Sequence, residues 1–159
     1  MPFKFRLERV LTIRRQALED ARLAVLAAEN EVKKAHELVE RLVQELKDMH
    51  NEMMANNYAM AQDYLRVIKQ LDKRLEQAKK DLRARREELV QRKLELIEAH
   101  KKLEALEKLK ERQAEEYKIE ADRVEQIQTD ERVTMKFAHE MLKEAEEHVE
   151  TEDDAVYAG

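Results

Sequence analysis

The chain has no cysteine, one proline (Pro2) and one glycine (Gly159) among its 159 residues. Without cysteine there can be no disulfide framework, no thiolate zinc site and no thiol catalysis. With the only glycine at position 159, nothing between supplies the easy left-handed backbone of tight hairpins, dinucleotide-binding turns and phosphate loops. Aromatic residues make up 4% of the chain and charged residues 42%, a balance unsuited to a large globular core. The longest apolar run, Leu23 to Ala28, is six residues, against the roughly 20 that a membrane span requires. The basic N-terminus (Lys4, Arg6, Arg9) is not followed by the apolar stretch of a secretory leader. A cytoplasmic chain without a transmembrane segment is expected.

What is present is helix-forming material. Ala, Leu, Glu, Lys and Arg together make about 60% of the chain, the composition of long helices and coiled coils. Alternating steps of four and three residues from Leu7 reach Leu11, Arg14, Leu18, Ala21, Val25, Ala28, Val32, Ala35, Val39, Leu42, Leu46, Met49 and Met53, all apolar except Arg14. A second series runs through Tyr64, Ile68, Leu71, Leu75, Ala78, Leu82, Arg85, Leu89, Arg92, Leu96, Ala99, Leu103 and Leu106. An average spacing of 3.5 residues keeps such a stripe on one side of a helix only if the helix supercoils left-handedly around a partner. Glu, Lys, Arg and Gln fill the positions between, as a solvated face requires.

The two series do not join smoothly. Between Met53 and Tyr64, Asn56, Asn57 and Asp63 are the residues best able to leave a helix, Asn by tolerating the left-handed cap and Asp63 as an N-cap. The expected architecture is therefore all-α: one long antiparallel two-helix coiled-coil hairpin with unequal arms and a longer C-terminal helix. Its parts are helix 1 at about 4–55, a tip at about 56–63, helix 2 at about 64–149 and an acidic tail at 150–159. Residue numbers facing each other should then sum to about 119, and at about 1.5 Å per residue the arms would measure roughly 75 and 130 Å. Tyr117 and the apolar residues after it, including Val124, Ile127, Met135 and Leu142, are left without an intramolecular partner. An uncovered stripe of this kind suits another protein.

Charge separates along the chain: residues 1–15 carry a net charge of +4 and residues 140–154 a net charge of −7. Constellations for catalysis or metal binding are missing. Glu144 and His148 stand four apart as a lone pair in an acidic stretch, and His139-Glu140 opens a zincin-like motif that Lys143 breaks. The chain is expected to be no enzyme and to need no cofactor and no metal. Basic clusters at Arg83, Arg85 and Arg86 and at Lys108, Lys110 and Arg112 alternate with acids on a chain of net charge −5, so no nucleic-acid partner is expected either. At the tip, Met53, Tyr58, Met60, Tyr64 and Ile68 form a candidate partner-binding group, because methionine adapts to varied surfaces.

The opening Phe3-Lys4-Phe5-Arg6-Leu7-Glu8-Arg9-Val10-Leu11, followed by Arg14-Arg15 and an Ala-rich heptad stretch, resembles the start of the FliJ family of flagellar protein export components. The stretch from Leu103 to Gln113, then Tyr117, Glu120 and Asp130-Glu131, is similar to that family's C-terminal helix. The resemblance implies a stalk, similar to that of rotary ATP synthases, that enters the hexameric flagellar export ATPase and contacts the cytoplasmic domain of the export gate and the export chaperones. It implies a monomer on its own, held at the inner face of the cell membrane through the export apparatus. The candidate ATPase contact comprises Phe3, Phe5, Leu7, Arg9, Val10, Leu11, Arg14, Tyr117, Val124 and Ile127. The competing reading is a structural spacer or dimerisation coil.

Overall fold

The computed structural model describes residues 2–157, so residues 158 and 159 of the expected acidic tail lie outside the described residues. Two helices, α1 (Glu8–Ala55) and α2 (Ala61–Tyr157), account for almost all of it, and no strand occurs among the described residues. The architecture is the expected all-α helical hairpin with the longer helix second, 48 residues against 97. Packing divides the chain into two compact units: residues 6–107, and residues 1–5 together with 108–159.

Within the unit 6–107, the 3.5-residue stripe is the buried seam. Each α1 position reached by the alternating steps, from Leu7 to Met53, is buried or half-buried, and so is each α2 position from Tyr64 to Leu106 except Arg85. Leu42, Leu71, Leu75 and Ala78 form the core cluster, with Leu38, Val39, Val43, Leu46 and Met49 packed against them. The helices run antiparallel: one groove is lined by Glu31, Lys34, Ala35 and Leu38 from α1 and by Asp81, Ala84, Arg85 and Glu88 from α2. Ascending numbers on one helix meet descending numbers on the other, adding to 119. Of the three charged interruptions of the stripes, Arg14 and Arg92 are half-buried and Arg85 is exposed; half-burial suits an arginine, whose apolar stem can lie along a seam while the guanidinium stays wet. Arg92 ends in ion pairs to Glu88 and Glu95, at 3.8 and 3.1 Å. An Arg15–Glu107 contact of 3.8 Å also joins the helices, but with both side chains about half exposed it contributes little.

The helix starts later and ends later than the sequence suggests. Residues 2–5 are not helical, and α1 begins at Glu8 after Leu7, with the Leu11 amide donating to the Leu7 carbonyl at 2.9 Å. The physical reason lies in Phe3-Lys4-Phe5-Arg6, where Phe3 is half-buried and Phe5 buried while Lys4 and Arg6 are exposed. Alternation of this kind belongs to an extended segment. At the other end α2 continues through residues 150–157 instead of stopping near Val149. No Pro or Gly interrupts that stretch, and His148–Glu152, four residues apart at 3.7 Å, is a pairing that supports a helix once the imidazole is protonated.

Two outcomes are expected from this seam. Leu42, only 3% exposed, should cost about 2 to 4 kcal/mol when truncated to Ala, whereas Glu40→Ala on the solvated face should change stability by less than about 0.5 kcal/mol; urea unfolding compares them. Cysteines introduced together at Ala35 and Ala84, which line one groove, should oxidise within a single molecule. Linked dimers at high dilution would contradict the fold.

Candidate functional site

The turn between the helices is built without glycine. Three residues sit in the left-handed region, Asn57 (φ 51°), Tyr58 (φ 61°) and Met60 (φ 57°). The Asn57 amide donates to the Met54 carbonyl at 3.1 Å and the Tyr58 amide to the Met53 carbonyl at 3.0 Å. That pair of bonds is the Schellman arrangement closing α1, with Asn57 in the position usually held by glycine. The Asn56 side-chain amide then donates to the Tyr64 hydroxyl at 2.6 Å, tying the end of α1 to the start of α2. Asp63, expected to precede α2 as its N-cap, lies inside the first turn, its amide bonded to the Met60 carbonyl at 3.0 Å. There the carboxylate still faces the positive end of the helix dipole.

The turn sorts the candidate tip residues. Tyr58 and Met60 are well exposed, Met53 and Tyr64 are half-buried, and Ile68 is buried in the seam. Met54, which belongs to the methionine-rich stretch at the tip, and Leu65, absent from the sequence-based group, are more than half exposed and sit four to seven positions from Met60 and Tyr58. Leu65 has no signal in the stripe because it falls off the 3.5-residue series. Tyr58 and Met60 are bulky residues held where only glycine is free of strain, each costing about 1 to 2 kcal/mol.

In the unit formed by residues 1–5 and 108–159, Phe5 is buried and Phe3 lies against Tyr117 with ring centroids 5.6 Å apart and planes tilted by 45°. Such tilted pairs are favourable beyond the area they bury. From Glu115 to Val156 every side chain of α2 is exposed. Val124 and Ile127 are near two-fifths exposed, and Met135 and Leu142 near two-thirds or more. Ile119, Val133, Phe137 and Met141 are exposed as well, on positions that the seam stepping passed over. Arg123 holds Glu120 through two hydrogen bonds of 3.1 and 2.7 Å, which keeps that carboxyl below the usual carboxylate range.

The candidate ATPase-contact residues thus divide between the units. Phe3, Phe5, Tyr117, Val124 and Ile127 belong to one, and Leu7, Arg9, Val10, Leu11 and Arg14 to the other. Arg9 is exposed, Leu7, Val10 and Arg14 are half-buried, and Leu11 is fully buried as a seam residue. Among the described residues, no three His, Cys, Asp or Glu side chains come together in a way that could hold a metal ion. No helix among the described residues is long and apolar enough to cross a membrane.

Two uninterrupted helices and a glycine-free turn define a coiled-coil hairpin, with exposed apolar positions at the turn and along the end of α2. The profile of the family described as flagellar FliJ protein matches residues 3–142, and the chain belongs to that family. It is a flagellar export-related protein. No curated protein and no solved structure matches the chain.

The strain in the turn has a measurable consequence. Tyr58→Gly should raise the unfolding free energy by about 0.5 to 1 kcal/mol, while Ala59→Gly, at a residue whose φ is negative, should lower it by a similar amount. Thermal unfolding of the two variants separates a strained turn from a relaxed one.

Proposed function

We propose that this protein is a non-enzymatic stalk of the flagellar export apparatus, acting on the hexameric export ATPase. The observation that carries the reading is the run of exposed side chains from Glu115 to Val156, in which the apolar Val124, Met135 and Leu142 continue the 3.5-residue stepping from Tyr117 and Ile127 stands one turn after Val124. Most helical stability in proteins comes from packing of an amphipathic face, so a bare amphipathic helix gains most from a protein that covers it. Family membership supplies the setting, since FliJ proteins belong to flagellar export.

In this reading Phe3, Tyr117, Val124 and Ile127 give apolar grip on the ATPase. The basic residues Arg9 and Arg14 steer the approach, because charge governs encounter more than final affinity. The tip, with Met53, Tyr58, Met60 and Tyr64, faces the cytoplasmic domain of the export gate, and export chaperones use the same accessible surfaces. Phe5 and Leu11 act indirectly, by holding the N-terminal segment and the seam in place. The protein works in the cytoplasm at the inner face of the cell membrane, where the apparatus holds it.

The test is ATP hydrolysis by the purified flagellar export ATPase with and without the chain. The full chain should stimulate hydrolysis, and truncation after Gln113 should remove most of that stimulation while residues 6–107 keep their helicity. Val124→Glu together with Ile127→Glu, at exposed positions that leave the hairpin seam untouched, should reproduce the loss. Full stimulation by both variants would refute the assignment of these residues.

A further inference from the structure

Past Tyr117 the four-and-three stepping lands on Ala121, Val124, Gln128, Glu131, Met135, Ala138 and Leu142. Every one of these side chains is exposed. A 3.5-residue series stays on one side of a helix only against a second helix, so the repeat itself says that a helix covers this face. The arrangement of residue types says which one. The polar break, Gln128 and Glu131, lies at the middle of the series, and the apolar positions on either side mirror each other in size.

We propose that residues 117–142 of two copies of this chain pair antiparallel about a two-fold axis between Gln128 and Glu131. In that register Gln128 of one chain lies against Glu131 of the other, an amide beside a carboxylate that can accept its hydrogen bond. Val124 meets Met135, Ala121 meets Ala138, and Tyr117 meets Leu142, so large residues face large and small face small. Glu125 and Arg132, each next to the stripe on its solvent side, stand opposite one another across the pair, once on each side of the axis. Because the contact is isologous, each of these pairings occurs twice.

Other arrangements of the same face are worse. A parallel in-register pair would stack Glu131 on Glu131, leaving two like charges together in the seam. An antiparallel pair shifted by one heptad would set Glu131 against Met135, burying a carboxylate on a thioether. A polar layer costs stability but specifies register and orientation, and for the two Gln128–Glu131 layers at the centre only one register lets the polar residues satisfy each other. The series spans 26 residues, about 39 Å of helix, with three apolar layers on each side of the two polar ones, which makes a reversible dimer.

The pair covers Tyr117 and Val124, residues given above to the ATPase contact, so the paired chain is the form withheld from the ATPase. The pairing is measured without any ATPase present and stands or falls separately from that reading.

Light scattering on the full-length chain should show a mass rising from 19.0 kDa toward twice that value as the chain concentration reaches about 100 μM. Glu125→Arg and Arg132→Glu should each weaken the dimer by about three- to tenfold, and the two together should restore it. Since the chain has no cysteine, a Val124→Cys chain mixed with a Met135→Cys chain should form the mixed disulfide faster than either forms a disulfide with itself. A chain that stays monomeric throughout overturns the proposal. So does a double charge variant that fails to recover, or preferential Val124→Cys linkage to its own copy. All four substituted positions are exposed, so none of the variants threatens the fold.

Discussion

Burial of one 3.5-residue stripe against another is the interaction on which everything else in this protein rests. Neither helix carries an apolar face wide enough for a globular core, and the aromatic content is too low to build one. What each has is a narrow seam of Leu, Ile, Val, Ala and Met, and closing that seam removes Leu11, Leu18, Leu42, Ile68, Leu71 and Leu75 from water. Each such side chain is worth about 1.5 to 3 kcal/mol when fully buried. The surface ion pairs, by contrast, join exposed side chains three or four residues apart, and their contribution is a few tenths of a kcal/mol each.

The seam explains why the turn can be strained. A reversal of direction normally uses glycine at its left-handed positions, and here Asn57, Tyr58 and Met60 occupy them. Asn57 does so at little cost, while Tyr58 and Met60 are carried by the packing of the two helices that they connect. The Asn56–Tyr64 hydrogen bond closes the turn at its base. Holding two large side chains in the left-handed region on a short, tied turn also keeps them out in solvent, which is what a docking surface requires.

Beyond Tyr117 the same periodicity continues with nothing packed on it. In the seam each apolar position is stabilised by its facing residue; in the stretch from Glu115 to Val156 the same residue types stand in water. The repeat is therefore satisfied in one part of the chain and left uncovered in another. Both the proposed ATPase contact and the proposed self-pairing draw on this stretch.

The sequence by itself determined the helical class, the antiparallel pairing, its register and the two seams, because a 3.5-residue repeat is a local signal and the absence of glycine and proline leaves a helix nothing to compete with. It also pointed to a reversal at about 56–63, because asparagine tolerates the left-handed conformation; the turn is shorter, with α2 beginning at Ala61. Other features were legible only in part. Phe3 and Phe5 alternate with Lys4 and Arg6, a period of two that was readable yet overridden by the expectation of helix. What only the tertiary structure decided is which apolar side chains remain available. Leu11 and Val124 look equivalent along the chain, but Leu11 is fully buried and Val124 is not, because burial depends on what faces a residue and not on the residue itself.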